Sequence, residues 1–277
     1  MDPKIKIIGL GSAGSKVMKR VRERLENNSF EGVECLAFDR GEDAAEVFSR
    51  EDFDLVLFVA GLGRTTGSEE ILRLGRLAHE KGIDVGAFVS TPFRFEGQQA
   101  SRKADETLLA MEGSFHFYNV LDCAGVLREL LSEDKDCATV DDAFKVIDQR
   151  LSDRVFRFVC LLKNRGLIVT DYEDVRVILG CREKVSARLH FLDMTVSDKS
   201  LVGKRIAESM PRDMALGTVQ GMLVHIEHGE GLTLQEYDSI VGCVYENLVQ
   251  DDDTNVIISD ILNSSMDRDI RINVWFV

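Results

Sequence analysis

No stretch of this sequence is long and apolar enough to span a membrane, because no run of about 18 apolar residues occurs. The N-terminus, MDPKIKIIGLG, lacks the layout of a signal peptide: its first apolar run passes straight into a glycine turn. A cytoplasmic chain is therefore expected. Basic residues are in the minority, 34 Lys and Arg against 48 Asp and Glu, for a net charge of −14. With no compact Lys/Arg patch either, the chain is a poor candidate for binding nucleic acid through its phosphates, and the acid excess reads as solubility. Paired cysteines are also missing. Cys35, Cys123, Cys137, Cys160, Cys181 and Cys243 are scattered without a C-x-x-C, as expected of buried free thiols. His225 and His228 in VHIEHGEG have no acid or thiol cluster at ligand spacing. They read as polar residues at the edge of a strand, and no metal is expected.

What is present is a chain of 277 residues, 44% hydrophobic and 30% charged, enough for two domains or one large one. Its first half alternates. KIKIIGLG, VECLAFD, FDLVLFVAGLG and DVGAFVSTPF read as buried strands; SKVMKRVRERLENN and SEEILRLGRLAHEKG read as helices between them. This pattern predicts a parallel sheet with helices on both faces and ligands at the C-terminal strand ends. From Thr139 to Lys163, apolar residues recur every three or four positions. That predicts one long amphipathic helix, started by a Thr139–Asp142 capping box and stopped at Gly166. From about Leu189, ARLHFLDMTV, QGMLVHIEHG, TNVIISDIL and DIRINVWFV read as strands, and DKSLVGKRIAESM and TLQEYDSIVGCVYENLV as helices. The expected domains are 1–138 (α/β), the central helix 139–165, and a smaller α+β domain over 166–277 that ends on its last strand without a tail.

The first glycine turn, GLGSAG, fits G-x-G-x-x-G through Gly9, Gly11 and Gly14. With Asp39 after the second strand it satisfies the dinucleotide fingerprint, so an NAD-dependent dehydrogenase is a remote alternative. The turn needs only a helix N-terminus, however, which suits any phosphate. A second glycine-rich turn, AGLGRTTGSEE, sits on a neighbouring strand, as for a di- or triphosphate gripped from two sides. STPFRFEG and, after the long helix, GLIVTDYEDV complete the set.

In this order, over nearly the whole chain, these segments resemble the FtsZ/tubulin family of GTP-dependent filament proteins, FtsZ more than tubulin. GMLVHIEHGEGLTLQEYDSIV adds to the resemblance. It implies a GTPase-like α/β domain, a central helix and a smaller C-terminal α+β domain. Carried over by position, it implies nucleotide contacts at Gly9, Gly11, Ser12, Ala13, Gly14 and Asp39. The second loop contributes Gly61, Gly63, Arg64, Thr65, Thr66, Gly67 and Ser68. Glu96 matches a ribose-contacting acid, Asn119 a base-side asparagine, and Phe144 and Asp148 the base-reading part of the central helix. There the family's Asn-Asp becomes Asp148 and Gln149, with acid and amide reversed.

Several positions depart from the family. Arg64 and Thr65 replace glycines of the second loop. Glu69 brings negative charge to a helix start, which Arg64 partly offsets. Only RGEDAAEVFSREDF stands where FtsZ has a helix and a γ-phosphate loop. Asp171 and Asp174 match the two acids that position the attacking water, or else cap the following helix; Val169 replaces the asparagine between helix and acids. The resemblance therefore implies a divergent FtsZ-like cytoskeletal protein that binds GTP or GDP, admits Mg2+, and assembles head-to-tail with itself, with weak or absent GTPase activity. The alternative is a nucleotide-independent scaffold or regulator of FtsZ-like filaments. Neither nucleic acid nor a membrane anchor within the chain is expected.

Overall fold

The computed structural model describes residues 2–28, 30–38, 48, 53–132, 139–163, 166–168, 170–181, 186–197, 201–202, 204–205, 219–248, 254–267 and 269–277. Compactness divides the chain into two units, residues 2–159 with 180–188, and residues 160–179 with 189–277. No described helix is long and apolar enough to cross a membrane.

The first unit is built on a six-stranded sheet, order β2-β1-β3-β4-β5-β6, with every pairing parallel. The strands are β1 (Ile5–Leu10), β2 (Val33–Phe38), β3 (Leu55–Gly61), β4 (Asp84–Ser90), β5 (Phe117–Leu121) and β6 (Ala187–Arg188). Its helices are α1 (Gly11–Asn28), α2 (Thr65–Glu80), α3 (Gln98–Met111), α4 (Cys123–Ser132) and most of α5 (Val140–Lys163). β1, β3 and β4 are apolar and buried nearly throughout, as parallel strands covered on both faces must be. Ile8, Leu10, Phe58 and Ala60 pack with Ile71, Leu74 and Ala78 of α2 and Ala104 and Met111 of α3. On the opposite face Met18 of α1 lies against Gly9, and Phe158 of α5 meets Phe88 and Phe117 with ring centroids 5.4 and 5.3 Å away. The chain leaves β1 for β2 on one side and then returns to β3 on the other. The order reverses at β1, so the crevice outside the ends of β1 and β3 is where an open α/β sheet binds its ligand.

α5 follows the apolar stripe. Thr139 caps it as its sequence predicts: Asp142 N–H donates to Thr139 Oγ1 at 3.1 Å and Thr139 N–H donates to Asp142 Oδ2 at 3.1 Å. Thr139→Ala is expected to cost about 1 kcal/mol of stability, read as a shift in urea midpoint without a change in slope.

The second unit holds a mixed sheet, order β7-β10-β8-β9, of β7 (His190–Val196), β8 (Gly221–His228), β9 (Asn255–Leu262) and β10 (Ile270–Phe276). The β8–β9 pairing is parallel and the others antiparallel. One face packs Met222, Val224, Ile226, Ile272 and Val274 against Ile240, Val244 and Leu248 of α7 (Leu234–Leu248). α6 (Tyr172–Ile178) also belongs to this unit. Most of the helix expected over 198–210 lies outside the described residues. β8 is an interior strand, which changes the reading of its histidines. His225 is buried with Nδ1 2.9 Å from Ser259 Oγ, while His228 at the strand end faces the Gly229 carbonyl at 2.9 Å.

Candidate functional site

A cavity of about 510 Å³ opens at the C-terminal ends of β1, β3 and β4, within the range of small-molecule sites. Its floor is made of two helix starts. At one, Gly11, Ser12 and Ala13 lead from β1 into α1; at the other, Arg64, Thr65, Thr66 and Gly67 lead from β3 into α2. The first backbone N–H groups of a helix have no intrahelical acceptor. Arg64 takes the N-cap position of α2 in an extended conformation, with no side-chain cap bond. The N–H groups of Thr65, Thr66 and Gly67 are left for a ligand, and both helix dipoles favour an anion.

The glycines let the two turns touch. A Cβ on Gly14 would overlap the Val59 carbonyl oxygen of β3 and lie 2.8 Å from the Gly9 carbonyl carbon. A Cβ on Gly67 would overlap the Gly61 carbonyl oxygen, and one on Gly61 would lie 2.9 Å from the Ala13 methyl. Gly9 and Gly14 thus act from behind the cavity as spacers rather than as lining. Gly63 and Ser68 are also outside the lining; the Gly63 N–H donates to Ser68 Oγ at 3.0 Å, holding the second turn.

The opposite wall is one stripe of α5: Phe144, Ile147, Asp148 and Leu151. These positions follow the helical repeat, so a pattern read as core also builds the site. Phe144 stands edge-on to Phe93 and Phe95, with centroids 5.1 and 6.1 Å away. Burial pushes the Asp148 carboxyl up, and Lys16 and Arg20 of α1 pull it down. Gln149 is not on this wall. Its Oε1 accepts from Arg20 Nη1 at 2.8 Å and its Nε2 donates to Asp153 at 3.1 Å. Asp148 alone of the reversed pair faces the ligand space.

Between these walls lie Ser90, Thr91, Phe93, Glu96 and Cys123. Glu96 Oε1 accepts from the Phe93 N–H at 3.0 Å and its Oε2 lies 3.4 Å from Arg64 Nη2. The charge of Glu69 is balanced not by Arg64 but by Lys103 of α3, at 2.7 Å. Asn119 is buried in β5 away from the cavity, its Oδ1 accepting from Arg154 Nη1 at 2.8 Å. Burial of that guanidinium lowers its pKa to about 10.

Asp171 and Asp174 lie in the second unit, both exposed. Asp171 caps α6, accepting from the Glu173 N–H at 3.1 Å, and that bond holds its carboxyl below the usual range. Asp174 is not needed for the cap. Asp39, Val169, Cys137 and most of the segment between β2 and β3 lie outside the described residues.

Lys16, Thr91, Cys123, Ile147 and Leu151 line the cavity without having been singled out from sequence. Lys16 was within reach of a pattern argument, one helical turn after Ser12. Cys123 was not, since only the fold brings it near Glu96 and Asp148. Burial, then the carboxylates of Glu96, Asp122 and Asp148, push its thiol up to about 12, and burial pushes Cys35 to about 11. Both are expected to react with iodoacetamide at pH 7.5 at least about a hundred-fold more slowly in the folded protein than in urea, because the thiolate is the nucleophile. Of the cysteines, Cys123 and Cys160 are buried as expected, but Cys35, Cys181 and Cys243 are partly exposed.

Among the described residues, one cluster has metal-ligand chemistry. Asp84, His116 and Cys181 place ligand atoms within 4.8 Å of one another at the start of β4, the end of the sheet away from the cavity. His116 Nδ1 accepts from the Val85 N–H at 2.9 Å. A neutral imidazole so held carries its proton on Nε2 and has no lone pair left for a cation.

Residues 193–276 match the sequence model of the FtsZ family, C-terminal domain. Relatives align over both units. The cell division protein FtsZ of Bartonella bacilliformis is 28% identical over 225 residues, 80% of this chain and 37% of its own length. Cell division protein FtsZ 1 of Rhizobium meliloti (strain 1021) is 29% identical over 217 residues, 78% of this chain and 35% of its own. The C-terminal part of the chain matches the FtsZ family domain, and the chain as a whole is similar to FtsZ proteins. It spans little more than a third of the length of those two relatives. Solved structures share the fold. An empty FtsZ dimer from M. jannaschii superposes with a TM-score of 0.82 at 20% identity, covering 100% of this chain and 88% of that one. GDP-form protofilaments of TubZ from Bacillus thuringiensis serovar israelensis give 0.77 at 13% identity, covering 100% and 85%. The parallel sheet with a second, smaller sheet is the architecture expected from the sequence.

Proposed function

We propose that this chain is a divergent FtsZ-like cytoskeletal protein that binds a guanine nucleotide in the cavity of its first unit and assembles head-to-tail. GTP hydrolysis is weak or absent. The observation that carries the binding part is the meeting of two helix starts at one cavity, that of α2 without a side-chain cap, opposite a wall that presents Phe144 and Asp148. The helix starts suit a polyphosphate. Phe144 offers an aromatic contact for a base, and the Asp148 carboxylate accepts from the adjacent N1–H and 2-amino group of guanine, a donor pair that adenine, with an acceptor at N1, does not present. Glu96 and Thr91 flank the space between, where a ribose would lie. Assembly is supported by the similarity to FtsZ proteins and by structures of the same fold solved as protofilaments, the GDP-form TubZ and a GTPγS-bound CetZ2 from Haloferax volcanii. Weak hydrolysis is supported by two features. Asp171 is already engaged as a helix cap, and Val169 replaces the amide in the sequence pattern.

Sedimentation at matched protein concentration with GTP, with GDP and without nucleotide tests this reading, together with phosphate release. Polymer that forms with GTP and releases little phosphate is expected. Polymer that is indifferent to nucleotide would favour the scaffold reading instead.

A further inference from the structure

We infer that Arg64 is the side chain by which this cavity tells a nucleoside triphosphate from a diphosphate; the inference rests on the nucleotide reading above. Two cationic side chains line the cavity among the described residues, Lys16 and Arg64. Lys16 acts on Asp148, so its charge belongs to the base-side wall. Arg64 stands at the N-cap of α2, next to the free N–H groups of Thr65, Thr66 and Gly67. It therefore adds a mobile full charge where the backbone supplies only dipoles.

Its present partnership is easily given up. The Arg64 side chain is 78% exposed and meets the largely buried Glu96 only at 3.4 Å, a long contact. An ion pair that long, with one partner free in solvent, contributes little. Glu96 does not depend on it, because its other oxygen accepts the Phe93 N–H at 3.0 Å. The nearby acid of the same turn does not compete for Arg64 either, since Glu69 is satisfied by Lys103. A phosphate oxyanion offers a guanidinium two parallel charge-assisted hydrogen bonds, which Glu96 at this distance does not. The two helix starts can hold a diphosphate by themselves. The additional charge of a third phosphate is what draws Arg64 from Glu96.

The test is titration calorimetry of GDP and GTPγS into the full chain and into Arg64→Ala and Arg64→Lys. In Arg64→Ala the preference for GTPγS over GDP is expected to fall by about tenfold, through weaker GTPγS binding with GDP nearly unchanged. Arg64→Lys, which keeps the charge and loses the fork, is expected to fall between. A change in the preference below about threefold in Arg64→Ala, whether both ligands weaken alike or neither does, overturns the inference. Absence of binding of both ligands to the unaltered protein overturns the nucleotide reading itself, and this inference with it.

Discussion

Gly14→Ala is expected to abolish nucleotide binding and to cost about 3 kcal/mol of stability or more, the upper range for overpacking. The reason is that the obstruction is backbone. A methyl at this position overlaps the Val59 carbonyl oxygen and crowds the Gly9 carbonyl carbon. Both belong to strands fixed in a parallel ladder, Gly9 opposite Val59. A flexible side chain could turn away; here α1 must lift from the sheet, taking its N-terminal N–H groups out of line with those of α2. Gly11→Ala provides the contrast. Gly11 has φ of +69°, so alanine there is strained, but its Cβ would sit in ordinary contact, 3.5 Å from Gly67 N. A smaller loss of about 1–2 kcal/mol is expected. Urea denaturation and GDP titration of the two variants separate steric obstruction from backbone strain.

Asp148→Asn is expected to weaken GDP binding by about tenfold to a hundred-fold and to shift preference toward xanthosine diphosphate, the range set by a charge-assisted hydrogen bond of about 1.5–3 kcal/mol. An asparagine amide donates where xanthine has a carbonyl and guanine an amine. The pH dependence follows from the same residue. Burial raises the Asp148 carboxyl above its usual 3.8. Reading guanine needs the carboxylate, so GDP affinity is lost as pH falls through this raised value, and the loss starts at a higher pH than for an exposed aspartate. In Asp148→Asn that component disappears. For the unliganded protein the sign is opposite. A carboxyl that binds its proton more tightly folded than unfolded costs stability as pH rises through the window between the two values, and acidification relieves that cost.

The central part of this site was legible because its signals are local. G-x-G-x-x-G needs a tight strand-to-helix turn wherever it occurs, and the stripe at Phe144 and Asp148 needs only helical spacing. What was not legible depends on partners far along the chain. Asn119 matches a base-side amide by position, but its oxygen accepts from Arg154 of α5 and it does not line the cavity. The balancing of Glu69 fell to Lys103, on a helix whose packing no sequence spacing reveals. His225 was placed at a strand edge because strand order cannot be read from periodicity; β8 lies inside its sheet and buries it. The return of residues 180–188 to the first unit, where β6 adds two residues to the sheet edge, left no pattern long enough to detect.

The paired helix starts and the Asp148 wall together make one guanine-nucleotide site under the proposed function. Titration calorimetry of GDP into the unaltered protein at about 150 mM salt tests this most directly. The structure predicts one site per chain with a dissociation constant of about 10 μM or tighter, about −7 kcal/mol, and no comparable binding of ADP. No heat of binding up to about 1 mM GDP, or equal binding of ADP, would contradict it.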